Sequence, residues 1–445
     1  MANSRKSKFN LQQRVADALT PVVPQGSSLL LGLSGGVDSV VLLHLLVQLS
    51  QHFSWRISAL HVHHGISPQA DEWAEFCTTL CAGYSISLTV ERVDISPLRD
   101  MGIEAAARKL RHAAFERQQV DIIALAHHRD DQAETLLLQL LRGAGVRGAS
   151  AMQIFKPREN VPSLLRPLLD IERGKLETYA REHGLRWVED DSNEDVSYPR
   201  NFLRHRVLPV LAQRFPAYRT TLARSARHFA EAAELLDELA SQDASTAIAD
   251  ERLSVAVLRQ LSSARGKNLL RYFLAARGAP IPDTTRLDEM LRQLCVAGEG
   301  AQICVTWQGW QLCCYREHAY ALPVTLPAAD FSIIWQGEAD IGLPASHGVL
   351  RVERVTGLGF SLEKLQQAVV TIRPRHGSEH IKLDLQRPRQ SLRNLLQQQA
   401  VPPWQRQLLP LLYCGDELVF VPGVANAAGY LAQEGEEGVL FSWNN

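Results

Sequence analysis

Residues 28–39 read Ser28-Leu29-Leu30-Leu31-Gly32-Leu33-Ser34-Gly35-Gly36-Val37-Asp38-Ser39. A short apolar run stops at a glycine pair, and Val40 to Leu49 follows with helical spacing. This pattern reads as a buried strand, a tight turn and a helix. The alternation continues outward, with strands expected at 57–62, 87–93 and 121–126 and helices at 73–81, 103–118 and 131–141. Strands alternating with helices imply right-handed βαβ units and a parallel, Rossmann-like sheet covered on both faces. Ligands of such sheets sit beyond the carboxyl ends of the strands. Ser34, His61 and His127 all fall there.

The chain has 445 residues, 46% of them apolar and 21% charged, which fits a globular protein of about three domains. After residue 217 the character changes. Helical spacing holds over 220–240, 253–261, 267–277 and 287–295, and strand-and-turn patterns follow over 303–322 and 333–352. From Val369 short strands flank one helix at 391–399. The expected organisation is an α/β domain over 1–217, a mainly helical middle domain over 218–330, and a small α+β domain over 331–445. Seven cysteines without any Cys-x-x-Cys support neither a disulfide framework nor a zinc ribbon, and lead us to expect a reduced, cytoplasmic protein. The opening Met1-Ala2-Asn3-Ser4-Arg5-Lys6 leads into an amphipathic stretch rather than a signal core. No run of about 18 apolar residues occurs, so no membrane association is expected.

In the Ser34–Ser39 turn two glycines let backbone amides face an anion at a helix N-terminus, and Ser34 and Ser39 add hydroxyls. Asp38 suits phosphates only if a divalent cation lies between them. The turn lacks the lysine of a Walker loop. A plain glycine turn with a Ser/Asp helix cap is the bland alternative.

Three further segments carry chemistry. His61, His63 and His64 cluster at a strand end, and Glu104, Arg108 and Arg111 share one helical face at i, i+4 and i+7. That face is either solvated and ion-paired or a neutraliser of polyphosphate. His127, Asp131 and Glu134 repeat the spacing where a strand opens into a helix. The two acids answer the helix dipole, or they serve Mg²⁺ or an amine. From Val196 to Ala230 there is no Asp or Glu, while Arg200, Arg204, Arg206, Arg214, Arg219, Arg224 and Arg227 interleave with Tyr198, Phe202, Phe215 and Tyr218. The total charge is close to balanced, with 47 Lys plus Arg against 48 Asp plus Glu, so this stretch is a local basic face suited to a polyanion. The bland alternative pairs these arginines with the acids of 231–238.

The Ser34–Ser39 turn resembles the PP-loop of the N-type ATP pyrophosphatases, which cleave ATP between its α- and β-phosphates. The other segments are Arg166-Pro167-Leu168-Leu169, Asp190-Asp191-Ser192-Asn193 and Tyr198-Pro199-Arg200-Asn201-Phe202-Leu203-Arg204. With them, the chain resembles the tRNA(Ile)-lysidine synthetase family, as does its C-terminal Arg373-Pro374-Arg375. The resemblance implies ATP and Mg²⁺ as cofactors and two substrates, an isoleucine tRNA with a CAU anticodon and free L-lysine, with no protein partner required. ATP would adenylate the C2 oxygen of the wobble cytidine, and the lysine ε-amine would displace AMP. Carried to this chain, Ser34, Gly35, Gly36, Val37, Asp38 and Ser39 would hold pyrophosphate, and His61 would flank the adenosine. Asp38 and Asp131 would be the metal ligands, and Arg108 would meet phosphate near the target base. His127, Asp131 and Glu134 would serve lysine, metal or both. Arg200, Arg204, Arg206, Arg373 and Arg375 would bind tRNA. The alternative is a PP-loop tRNA thiolase or another adenylating tRNA-modifying enzyme.

Overall fold

The computed structural model describes residues 10–296, 303–324, 330–344 and 347–444. The N-terminal residues 1–9, on which the expectation of no signal core partly rests, lie outside that range. The chain forms two compact units, Met1–Leu236 and Asp237–Asn445.

The first unit is built on helix α1 (Leu11–Leu19), strand β1 (Ser28–Gly32), α2 (Val37–Phe53), β2 (Arg56–His63), α3 (Ala70–Gly83) and β3 (Ser87–Arg92). It continues through α4 (Ile103–Glu116), β4 (Ile122–Ala124), α5 (Arg129–Leu141), α6 (Val146–Ala149), β5 (Phe155–Lys156), β6 (Ser163–Leu165) and α7 (Arg173–Glu182). The sheet order is β3-β2-β1-β4-β6-β5. All neighbours pair in parallel except β5, which runs antiparallel to β6 at the edge. The last two strands have no counterpart in the sequence reading, because two or three residues are too few to show a period.

Leu29, Leu30 and Leu31 of β1 are buried on both faces, as a central parallel strand requires. Leu29 and Leu31 pack with α1, α2 and α7, through Leu45, Leu46 and Leu176 among others. Leu30 faces Phe115 of α4 and Ile123 of β4 on the other side. Helix α2 is apolar nearly all round, with Val40, Val41, Leu42, Leu43, Leu45 and Leu46 buried, because it runs inside this core. Each such leucine contributes about 1.5–3 kcal/mol by burial. The chain lays β2 and β3 on one side of β1, then crosses through α4 to put β4 on the other. That reversal opens a crevice at the carboxyl ends of β1 and β4.

Beyond α7 the basic stretch is helical but broken: α8 (Pro199–Phe202), a π-helical turn over Leu203–Val207, α9 (Leu208–Arg214), and α10 (Tyr218–Ala247). Short π turns inside helices often sit at functional sites.

In the second unit, helices Val255–Gln260, Ser263–Ala276 and Thr284–Val296 pack with a five-stranded antiparallel sheet that includes Cys304–Trp307, Trp310–Tyr315 and His318–Pro323. The helix expected from residue 253 begins two residues later. Arg252–Ser254 is a strand, and the Ser254 hydroxyl accepts from the Val257 amide to cap the helix. The C-terminal part holds a seven-stranded and a four-stranded sheet, with helix Leu392–Gln398 where the sequence places one.

Candidate active site

The turn after β1 is fixed by glycine. Gly35 has φ +88°, and a Cβ added to it would stand 2.8 Å from Val188 Cγ2 and 3.3 Å from Cys77 Sγ. Its carbonyl accepts from the Val188 amide at 3.0 Å. Ser39 Oγ donates to the Gly36 carbonyl at 2.9 Å and lies 3.2 Å from Ser34 Oγ. Gly36 caps α2 without a side-chain hydrogen bond. The Val37 and Asp38 amides, the first two of a 17-residue helix, therefore remain available to an anion, while that of Ser39 donates to the Gly36 carbonyl.

His61 lies behind this turn. It is 5% exposed, and its Nδ1 is 2.9 Å from the Leu33 carbonyl. Burial lowers its pKa, so the neutral ring donates to that carbonyl and braces the loop. Cys77 and Cys81, also buried here, have thiol pKa values pushed up by burial to about 12 and 11. Neither is a thiolate nucleophile near neutral pH.

Helix α5 opens beside the turn, and its N-cap is His128 rather than His127. The His128 ring accepts from the Asp131 amide, and the Asp131 carboxylate accepts from the His128 amide at 2.9 Å. His128 Nε2 is 3.6 Å from Asp38 Oδ2 and 3.4 Å from Asp131 Oδ2. Burial opposes its charge, but Asp131 and Asp38 outweigh that and raise its pKa. Sequence reasoning singled out His127 and passed over this residue. The available signal was the three-residue step from His128 to Asp131, which is the spacing of a reciprocal cap. His127 Nδ1 is buried without a partner. Its pKa is driven down to about 3 chiefly by burial; Asp131 opposes this, and Arg166, Arg200 and Arg111 add to the depression.

Arg200 and Arg204, expected on an RNA-facing basic surface, turn inward onto the acids of α5. Arg200 Nη2 lies 2.8 Å from Asp131 Oδ1 and its Nε 2.7 Å from Glu134 Oε2. Arg204 holds both oxygens of Glu134. Arg219 pairs with Asp130, and Arg227 Nη1 stands 3.5 Å from Asp170. The partners of these four arginines are acids of α5 and its surroundings. Arg206, Arg214 and Arg224 are exposed, with no ion pair among the described residues, beside Phe202 and Phe215, which are 49% and 60% exposed. On α4, Arg108 and Arg111 reach solvent, and both have pKa values lowered by surrounding protein and by neighbouring cations. In the second unit, Arg373 lies over the Tyr413 ring, and Arg375 Nε is 3.5 Å from Glu379 Oε2.

Asp38 Oδ1 is buried and unpartnered. Among the described residues no three His, Cys, Asp or Glu side chains could together hold a metal. An orphaned carboxylate oxygen beside a phosphate cradle fits Mg²⁺, which takes one or two carboxylates plus substrate phosphates and water rather than a protein cage. Asp131 fits less well, since Arg200 occupies Oδ1 and the His128 amide occupies Oδ2.

The glycine turn, the open helix start and the acidic helix beside them define a PP-loop protein, and a PP-loop domain model matches residues 6–211. Models of a TilS substrate binding domain and a TilS substrate C-terminal domain match residues 253–320 and 370–443. The chain belongs to the tRNA(Ile)-lysidine synthase family. It is 45% identical to the tRNA(Ile)-lysidine synthase of Nitrosomonas europaea over 95% of this chain and 93% of that one. It is 40% identical to that of Azoarcus sp. over 94% and 92%, and 39% identical to that of Aromatoleum aromaticum over 92% and 96%. No helix of the described residues is long and apolar enough to cross a membrane.

Proposed function

We propose that this chain joins free lysine to C2 of the wobble cytidine of a CAU-anticodon isoleucine tRNA, consuming ATP and releasing pyrophosphate and AMP. The observation that carries this reading is the apposition of Asp38 in the phosphate turn with His128 and Asp131 of α5. One crevice then serves both half-reactions, activation of an oxygen and delivery of an amine.

In the first half-reaction the α2 amides, Ser34 and Ser39 cradle the β- and γ-phosphates and leave the α-phosphorus open to the cytidine oxygen. When bound, Mg²⁺ supplies charge neutralisation on the departing pyrophosphate, with Asp38 as its protein ligand. Asp131 is already engaged by Arg200 and the His128 amide, so Asp38 is the residue that would hold the metal. Arg108 and Arg111 draw the RNA phosphate toward the site.

In the second half-reaction the lysine ammonium must lose a proton before it attacks C2. His127 is a neutral ring with a free nitrogen, which makes it the acceptor for that proton in this reading. Asp131 and Glu134 are the acids on this side of the crevice, and Arg200 and Arg204, which engage their oxygens, leave them little net charge toward the ammonium. Exposed Arg206 and Arg214, with Phe202 and Phe215, form the part of the basic stretch that meets RNA. Arg373 and Arg375 contribute tRNA contacts from the second unit.

The deciding experiment combines radiolabelled lysine, ATP and a CAU-anticodon isoleucine tRNA transcript. Label in the RNA with AMP as co-product is expected. Formation of ADP, or labelling without ATP, overturns the reading.

A further inference from the structure

Arg166 directly follows β6, which pairs with β4 in the register Ala124↔Leu165. That places it at the same carboxyl edge of the sheet as His127. It is only 6% exposed. Its Nη1 donates to the Gln153 carbonyl at 3.0 Å, and its Nε is buried with no partner. No carboxylate pairs with it among the described residues. Its charged neighbours are Arg108 and Arg158, of which Arg158 is already paired with Glu116 at 2.6 Å. Burial, then Arg108 and Arg158, bring its pKa down to about 10.

Burying a guanidinium without a counter-charge is costly, and one carbonyl contact does not offset it. Arg111 lies near Arg108 on α4, with Glu104 the acid close to both. His112 and His127, which Arg166 helps keep neutral, add no positive charge of their own. An anion from outside would offset this excess of positive charge. With Nη1 engaged, Nε and Nη2 remain as a two-pronged edge that matches two oxygens of one phosphate.

We infer that Arg166 is a substrate-binding residue whose Nε/Nη2 edge grips a phosphate group, supplied either by the nucleotide or by the RNA backbone at the target base. Lysine is the wrong ligand for this place, because its net charge is positive and Arg166, Arg108 and Arg158 repel it. The inference deepens the proposed function and rests on it for the two possible sources of phosphate.

The test uses the full chain and the variants Arg166→Met and Arg166→Lys. Binding is read with α,β-methylene ATP and with a CAU anticodon stem-loop, separately. Removing an uncompensated buried charge should leave the unliganded Arg166→Met protein at least as heat-stable as wild type. The same variant should lose at least about tenfold in affinity for one phosphate ligand, about 1.4 kcal/mol. Arg166→Lys keeps the charge without the two-pronged edge, so it should fold and show most of the same loss. A loss confined to ATP identifies the nucleotide. A loss confined to RNA, abolished by a methylphosphonate beside the target cytidine, identifies the backbone. Lower stability of free Arg166→Met with both affinities intact would make Arg166 structural and overturn the inference. So would a raised lysine KM with unchanged phosphate binding. These binding assays do not depend on turnover, so failure of wild type to form lysidine would sink the proposed function separately.

Discussion

Arg204 meets Glu134 edge to edge, with Nε 2.7 Å from Oε1 and Nη2 2.9 Å from Oε2. Arg200 bridges the same Glu134 to Asp131. The carboxylate at the centre is 1% exposed. Residues about seventy positions apart in the chain thus form one charge network that ties the broken helix of 199–207 to α5.

Removing the centre of that network takes from Arg204 its edge-to-edge partner and leaves Arg200 only its bond to Asp131. Glu134→Gln should cost about 3 kcal/mol in urea unfolding, the scale of breaking a buried ion pair. A change below about 0.5 kcal/mol would place the pair among inconsequential surface contacts.

RNA affinity should follow the arginines without acid partners. Arg206→Gln and Arg214→Gln should each weaken tRNA binding and reduce the slope of log affinity against log salt by about 1. Filter binding across a salt series reads both quantities, and an unaltered slope in both variants would move the RNA surface elsewhere.

Asp38 carries an unpartnered buried oxygen, so Asp38→Asn should keep the fold and tRNA binding. It should lower lysine incorporation by at least about a hundredfold, the scale of losing one well-placed catalytic group. Wild-type turnover by this variant would exclude Asp38 as a Mg²⁺ ligand.

At Gly35 an alanine faces both φ +88° and a contact 2.8 Å from Val188 Cγ2. Strain of about 1–3 kcal/mol should appear as lower stability, together with weakened ATP binding as the cradle shifts. Calorimetry with and without nucleotide separates the two effects.

The pH profile of stability should be a dome. Burial and nearby arginines push His64 and His112 down to about 4, against an ordinary 6.5, and His127 lower still. Below 6.5 the unfolded chain therefore binds protons that the folded chain refuses. Stability should rise with pH between about 4 and 6.5, by up to about 1.4 kcal/mol per unit for each histidine. His128 acts in the opposite sense. Its pKa is raised, so its contribution is complete below 6.5 and fades as pH climbs through the folded value. Asp131 is held down to about 2 by His128 and Arg200 despite its burial, so its contribution exists above 3.8 and vanishes as pH falls through about 2. Urea midpoints of wild type and His112→Phe across this range check the acid limb, which the variant should flatten.

Local pattern was enough to determine the β1 strand, the glycine turn, helix α2 and the alternation that builds a parallel sheet, because these follow from the period of Leu29–Leu31 and Val40–Leu49 and from backbone freedom at Gly35. The sequence also singled out Asp38, Asp131 and Glu134 by residue type and spacing. Tertiary structure decided what those residues touch. The reversal of strand order beside β1 brings α5 to the phosphate turn, and cap geometry selects His128 over His127 to face Asp38. The basic stretch divides for the same reason. Whether an arginine serves a carboxylate or remains open to RNA depends on distance through space, and Arg200 and Arg204 find acids that Arg206 and Arg214 do not. A one-dimensional pattern records charge and period; pairing and desolvation exist only once the chain has closed on itself.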